Sequence, residues 1–387
     1  MENNRISNKL ILIMPLLMNG LADSLFSVQL PTIQNFLNIN TMNAQWLITI
    51  NLAGFALGML YWGYFADRYG RSLAWNYGLV ITIVSMITMC SCNSFNLFFI
   101  ARFFQGLGAS MSSVLSMVMI RDWFTDMTAR SKLHATINQA LGIAPILALI
   151  LSSSIDILQW QTSYIVLIVL YSIILLSIQY FSFAKNISQT GNMFTNMKNI
   201  LSNATTIKAI ILIGIAIGIG RCYFGAMPYI LNNMLGDNNY YKISLIFVGM
   251  AWIIGGYYAS LLSRIKGQVW VIQTGSLITL LCSLIMLIVS LLTMPVKIQA
   301  ITIIICNLIA MVGTGLIIPN AIALGLEPHT KNTGTASSIL GFGFYVVTML
   351  MQFIFTLMPQ NELWSMPVLF VLTTCGIFYI SLKFYSK

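Results

Sequence analysis

Twelve apolar runs follow one another along the chain with only short polar breaks, each close to the roughly 20 residues that a helix needs to cross a hydrocarbon layer. They cover residues 9–30, 44–65, 73–92, 96–120, 134–155, 160–183, 207–230, 243–263, 268–291, 296–318, 334–357 and 364–383. In a bilayer each backbone amide and carbonyl must be satisfied within its own segment, so runs of this length predict helices. Together they leave no room for a soluble domain. Composition agrees: 58% of the 387 residues are hydrophobic and 7% charged, against about 25% charged in soluble domains. The expected fold class is an all-α membrane protein.

The net charge of +10 does not indicate a nucleic-acid binder. Such a protein gathers its basic residues on a patch of a polar domain, whereas here they sit in the breaks between apolar runs. Cys90, Cys92, Cys222, Cys282, Cys306 and Cys375 lie inside or at the ends of runs and lack the spacings of a zinc site or a disulfide framework. They read as packing residues, and no metal is expected. The first run is too long for a signal-peptide core and is expected to be retained.

Residues 184–206, rich in Asn and Ser, form the only long break. They divide the chain into an N-terminal six-helix bundle, 1–183, a central cytoplasmic loop, and a C-terminal six-helix bundle, 207–387. Lys and Arg favour the cytoplasmic side of a bilayer. One alternating set of breaks, with both termini, carries nearly all of the loop cations, among them Arg68, Arg71, Arg121, Arg130, Lys185, Arg264, Lys266 and Lys331, and the opposite set holds only Lys242 and Lys297. Both termini are therefore expected in the cytoplasm. A faint repeat accompanies the halves: Asp23 precedes Leu30-Pro31 in the first run much as Arg221 precedes Met227-Pro228 in the seventh. Duplicated bundles of this kind are common in transporters.

Between the second and third runs stands Gly63-Tyr-Phe-Ala66-Asp67-Arg68-Tyr-Gly70-Arg71-Ser72. A tight turn needs the backbone freedom of Gly70, and Asp67 can cap orphan amides or pair with neighbouring arginines. The fourth run carries Arg102-Phe-Phe-Gln105-Gly106-Leu-Gly108-Ala109. An arginine inside hydrocarbon costs about 2.5–3.5 kcal/mol by insertion scales and so should face a cavity or a partner, while Gly106 and Gly108 form a flat surface for close helix approach. The fifth run has small residues at four-residue intervals, Ala140, Ala144, Ala148 and Ser152, with Pro145 able to bend it.

These segments resemble the signatures of the major facilitator superfamily. The first is similar to its G-x-[LF]-[AS]-D-R-x-G-R-[RK] loop, with Ser72 departing from the last basic position. The second is similar to its R-x-x-Q-G-x-G-A motif, whose arginine is associated with proton coupling. Gly142-Ile-Ala144-Pro145-Ile-Leu-Ala148 resembles the G-x-A-P-I-L-A antiporter run of the Bcr/CflA drug-efflux family, although the proline and glycine pair expected next are replaced by Leu149, Ser152 and Ser153. Gln45-Trp46, Arg121-Asp122, Gly313-Thr-Gly315-Leu-Ile-Ile-Pro319-Asn320 in the tenth run and Gly334-Thr-Ala336-Ser337 extend the resemblance over most of the chain. It implies two pseudo-symmetric six-helix bundles around a central cavity and proton-driven export of drugs or related small molecules.

Asp23, Arg102 and Arg221 are the formally charged residues deep inside runs. At about 1.5 Å rise per residue they share one layer. If the first, fourth and seventh helices line a cavity, as the resemblance implies, Asp23 and Arg221 face each other across it. A lone aspartate in low dielectric prefers to be neutral, and an adjacent arginine favours its ionised form. Asp23 is therefore the candidate proton-linked carboxyl, with Arg102 and Arg221 competing for it; a static gate salt bridge is the other reading of the same residues. The layer's excess positive charge suits an anionic solute, so an exported metabolite such as a siderophore, or import of a carboxylate-bearing solute, stays open.

No G-x-x-x-x-G-K-[ST] loop is present, so no ATP is hydrolysed by this chain. No nucleophile–base pair or His-rich ligand set lies in the runs, because His134 and His329 fall at their ends, and an intramembrane enzyme is not expected. The expectation is a monomeric inner-membrane carrier with no cofactor, driven by a proton gradient, its partners being a small solute, protons and lipid and not nucleic acid. A non-transporting membrane sensor is the alternative of another class.

Overall fold

The computed structural model describes residues 2–123, 141–152, 160–179, 193–235, 239–359 and 362–383, and among these the chain is helical almost throughout and has no strand. In order the helices are α1 (Glu2–Leu37), α2 (Thr41–Tyr69), α3 (Arg71–Ser91), α4 (Phe95–Trp123), α5 (Leu141–Ser152), α6 (Trp160–Gln179), α7 (Met193–Leu201), α8 (Ala204–Leu235), α9 (Asn239–Lys266), α10 (Gln268–Leu291), α11 (Val296–Leu326), α12 (Thr333–Leu357) and α13 (Ser365–Leu382), with a short 3-10 turn, Glu327–Asn332, after α11. Eleven are long and apolar enough to cross a membrane. The fifth expected run, 134–155, is described only as α5; Ala140 and Ser153 lie outside the described residues.

Two departures from the sequence reading have physical causes. Helices α1, α8 and α11 run past Pro31, Pro228 and Pro319, where their expected ends lay at or near those prolines. A proline removes one backbone bond, which neighbouring helices in a membrane bundle make tolerable. And residues 184–206 are not a plain loop, since α7 forms within them and α8 takes the last three. Nine residues with one apolar face are too short to register as an apolar run.

Buried apolar side chains gather into two large clusters. One is drawn from residues 12–178 together with Tyr229, the other from 209–377. Within the first, α4 packs on α2 and α3; within the second, α11 packs on α8, α9 and α10. Small residues allow this closeness. A Cβ on Gly106 would strike the backbone of α2 at Asn51, and one on Gly108 would lie 2.7 Å from the Gly78 carbonyl of α3. In the second cluster, Gly313 approaches α10 at the Gly275 carbonyl and Gly315 approaches Gly255 of α9, so the tenth-run glycines are packing surfaces.

Two of the seams along which the clusters meet are built on small residues. Helices α2 and α12 run antiparallel in contact: Gly63 lies against Ser338 at one end, Phe55 and Tyr345 rings sit 4.3 Å apart in the middle, and Thr49 and Thr356 hydroxyls are 3.1 Å apart towards the other end. Helices α5 and α9 meet where Gly142 and Gly249 face each other, a Cβ on Gly142 falling 3.0 Å from the Gly249 carbonyl. The stretch resembling an antiporter motif thus lies on a seam, with Ala144 and Ala148 fully buried and Gly20 of α1 against Ala144.

The α2–α3 turn is closed by Gly70 at φ 96° and ψ 156°, and the α9–α10 turn by Gly267 at φ 84° and ψ 156°. Their backbone amides bond the Ala66 and Ser263 carbonyls at 3.0 and 3.1 Å. Nothing lies within 4 Å of a Cβ at either glycine, so the need for glycine there is purely conformational. Replacing Gly70 by Ala is expected to cost about 1–3 kcal/mol through backbone strain. Gly256→Ala in α9, equally unobstructed and at an ordinary helical backbone, should cost nothing. Thermal melts of the two variants in detergent check this, and equal midpoints refute it.

Candidate functional site

Hydrocarbon tolerates charge only where a partner or a cavity receives it, and the three deep charges meet that condition in different ways. Asp23 of α1 accepts a hydrogen bond from the Arg221 guanidinium of α8 at 2.7 Å, an ion pair between residues 198 apart in sequence and on opposite sides of the molecule's divide. The side chains keep 19% and 20% of their surface accessible, so the pair borders open space instead of being sealed in protein. Tyr345 of α12 lies beside Arg221, and its ring packs on Phe55 of α2 and on Phe344.

Arg102 stands apart from this pair. It is 2% exposed, and its guanidinium donates to the Leu47 carbonyl at 3.2 Å and to Gln105 Oε1 at 2.5 Å, with the Phe26 ring 3.7 Å away. All three partners are neutral. The register between α1 and α4 shows how near Asp23 is: Ser116 bonds the Leu12 carbonyl, Asn19 bonds the Ala109 carbonyl and Ser112, and Arg102 covers Phe26. Antiparallel pairing at that register sets Asp23 level with Gln105, and Arg102 about one helical turn further along. The structure therefore brings Asp23 and Arg221 together and leaves Arg102 joined to Gln105 within its own half. Tyr164 beside Arg102 has a buried hydroxyl without a hydrogen-bond partner, and the indole N–H of Trp252, whose ring packs edge-on with Phe224 of α8, has none either.

Access to the pair is one-sided. On α1, half-buried Ile13, Leu17, Gly20 and Asp23 recur at three- and four-residue spacing, so one stripe stays accessible from the end that carries the Gly70 turn up to Asp23. Beyond it, Ser24, Leu25, Phe26 and Ser27 are buried. There the halves are joined by neutral hydrogen bonds: Ser27 with the Phe224 carbonyl and Tyr241, Gln45 Nε2 donating to the Gly225 carbonyl at 2.7 Å, and Gln352 Nε2 to Gln45 Oε1 at 3.1 Å. Asp23–Arg221 is the innermost member of this seal. The Gln45-Trp46 fragment belongs to it as well, with Trp46 set edge-on to Phe353 at 5.3 Å.

The other motif residues lie away from the layer. At the turn end Arg68 donates to Tyr64 Oη at 2.6 Å, while Asp67 and Arg71 are half-buried and engaged. Asn320 bonds the Leu316 carbonyl inside α11. Sequence reasoning missed Tyr345, Gln352 and Gly267. The first two carry no charge and no motif; Tyr345 neighbours Arg221 through the packing of α12 on α8, and Gln352 neighbours Gln45 through the α2–α12 seam. Gly267 was legible, since Arg264-Ile-Lys266-Gly267 echoes the basic, glycine-closed turn at Gly70.

A family model described as Major Facilitator Superfamily matches residues 13–352. Among proteins similar in sequence, an uncharacterized transporter of Rickettsia bellii is 26% identical, over 96% of this chain and 95% of its own length. Multidrug resistance protein MdtL of Citrobacter koseri is 25% identical over 82% of this chain and 80% of its own. Among solved structures, a D-xylose-proton symporter superposes with a TM-score of 0.79 at 14% identity, covering 96% of this chain and 97% of the other. A partially occluded inward open form of the E. coli xylose transporter XylE gives 0.73 at 12% identity, covering 97% of each chain.

The pair's contribution is measurable. Asp23→Asn and Arg221→Gln are each expected to lower stability in detergent, and the double variant to lose less than the two losses added together, with an interaction of about 1.5–3 kcal/mol for a charge-assisted hydrogen bond. Strict additivity in thermal or chaotrope melts contradicts the pairing.

Proposed function

The chain belongs to the Major Facilitator Superfamily, and from that premise we propose that this multi-pass transporter exports small molecules, drugs or an endogenous metabolite, in exchange for protons by alternating access. The family and the relatives are transporters and not enzymes. The observation that carries the proposal is the Asp23–Arg221 ion pair, which spans the two halves at the inner edge of the seal and is reachable from one side. Opening the sealed end pulls α1 from α8 and parts the two charges. A carboxylate left without its guanidinium in a low-dielectric interior is costly to keep ionised, and taking up a proton removes that cost. Proton loading is thereby tied to the rocking that moves the solute. The excess of loop cations at the turn end supports placing that end, with both termini, on the cytoplasmic face of a bacterial inner membrane. Export is favoured by the likeness to a multidrug resistance protein and by the small-residue seam at Gly142 and Ala144.

A second reading, proton-coupled uptake of an anionic or carboxylate-bearing solute, has its own observation. Arg102 has only neutral hydrogen-bond partners, so the layer holds two guanidiniums and one carboxylate among the described residues. A solute carboxylate at Arg221 would release Asp23 and complete the charge balance.

Everted vesicles energised by respiration separate the readings. Lipophilic cations, neutral drugs and polycarboxylates are added in turn while the internal pH is followed. For export, a compound of the panel dissipates the gradient in the wild type and at least about ten times more slowly in Asp23→Asn. Uptake instead predicts that an anion is accumulated by right-side-out vesicles under an inward proton gradient. Unchanged proton flux in Asp23→Asn sinks the role given to that carboxyl in both.

A further inference from the structure

The Asp23–Arg221 pair sits at the inner end of an apolar approach, and both belong to the face that open space reaches. Along α8 every residue from Leu212 to Leu231 is buried except Ile217 and Arg221, which lie four residues apart on one side of the helix. Along α1 the accessible stripe ends in Leu17, Gly20 and Asp23. A solute coming from the turn end therefore passes Leu17 and Ile217 before it meets a carboxylate on one helix and a guanidinium on the other.

Arg102 takes no part in this meeting. It is closed off against Phe26 and Gln105, whereas Asp23 and Arg221 keep 19% and 20% of their side-chain surface accessible. Among the described residues the open face thus offers one charge of each sign, 2.7 Å apart. That pattern discriminates between solutes. A lone cation is drawn to Asp23 and repelled by Arg221, a lone anion the reverse, so each gains little. A solute with an ammonium and a carboxylate on one carbon can lie antiparallel to the pair and gain a charge-assisted hydrogen bond at both ends. It also removes a cost of opening. When the halves part, the ammonium stays on Asp23 and the carboxylate on Arg221, and neither protein charge is left bare. A proton taken up by Asp23 then deprives the ammonium of its partner and leaves it facing the guanidinium alone, which discharges the solute.

We propose that the Asp23–Arg221 pair is the head-group site for a zwitterion with an apolar body, an α-amino-acid-like solute whose ammonium sits on Asp23, whose carboxylate sits on Arg221 and whose side group lies along Leu17 and Ile217. This names a substrate class for the exchanger proposed above, and it rests on that reading in taking the pair as the place where solute and proton compete.

The test is a binding measurement, isothermal titration calorimetry on the full chain in detergent with no proton gradient. L-phenylalanine carries both charges and an apolar body; phenethylamine lacks the carboxylate, hydrocinnamate lacks the ammonium, and glycine lacks the body. L-phenylalanine is expected to bind at least about 10-fold more tightly than each of the other three, the loss that follows from one missing charge-assisted hydrogen bond or one missing apolar group. Asp23→Asn is expected to turn the preference to hydrocinnamate and Arg221→Gln to turn it to phenethylamine, a reversal of order that general loosening does not produce. Ile217→Ser should bring L-phenylalanine down towards glycine. Where a variant fails to fold, the wild-type order decides alone. Either single-charge probe binding the wild type as tightly as L-phenylalanine overturns the assignment, and so does L-phenylalanine failing to bind. The expected order without proton flux in vesicles keeps the zwitterion site and removes the exchange, whereas proton flux driven by other compounds without that order keeps the exchange and removes the zwitterion.

Discussion

A bilayer interior offers no water to a polar group, and this structure is organised by that fact at every scale. Backbone amides are satisfied within helices, which is why the chain is a set of spanning rods. Serine and threonine hydroxyls mostly return to carbonyls three or four residues back in their own helix, as Thr82 does to Gly78 and Thr348 to Phe344. The few groups too large or too charged for that remedy find partners across helices. Arg102 uses a carbonyl, an amide and an aromatic face within one half, whereas Asp23 and Arg221 use each other across both. The one direct ion pair among the described deep charges is thus also a joint between the bundles.

The remainder of the divide is graded. Gly142 and Gly249 let the backbones of facing helices nearly touch, while Gly63 and Gly341 receive the Ser338 and Met59 side chains of the facing helix. At the sealed end the same seam is held by amide and hydroxyl hydrogen bonds, which are directional and break within a small displacement. At the turn end it is held by small-residue and methyl contacts, Gly63 against Ser338 and Gly341 against Met59.

The sequence made much of this legible. Run lengths and spacing located the spanning helices, because a membrane imposes a length that soluble folds do not. Asp23 and Arg221 stood out since each is an expensive exception in an apolar run, and their matching positions in the two halves placed them opposite each other. Gly70 was readable from a tight turn that needs the backbone freedom of glycine. Helix ends were less so: α1, α8 and α11 pass through prolines that would stop a soluble helix. Arg102 was expected to compete directly for Asp23, yet it is joined to Gln105, a neutral neighbour three residues away that sequence alone cannot rank against a distant acid.

What the sequence determined by itself was the solvent of each segment and the places where charge must be compensated, because transfer into hydrocarbon is a property of composition over twenty residues and needs no knowledge of neighbours. What only the tertiary structure decided was which partner does the compensating, which face stays open, and where the weak joints lie. Gln352 on Gln45 and Thr49 on Thr356 are contacts between uncharged side chains far apart in sequence. Their energies depend on distances of a few ångströms that arise only when the two bundles are brought face to face.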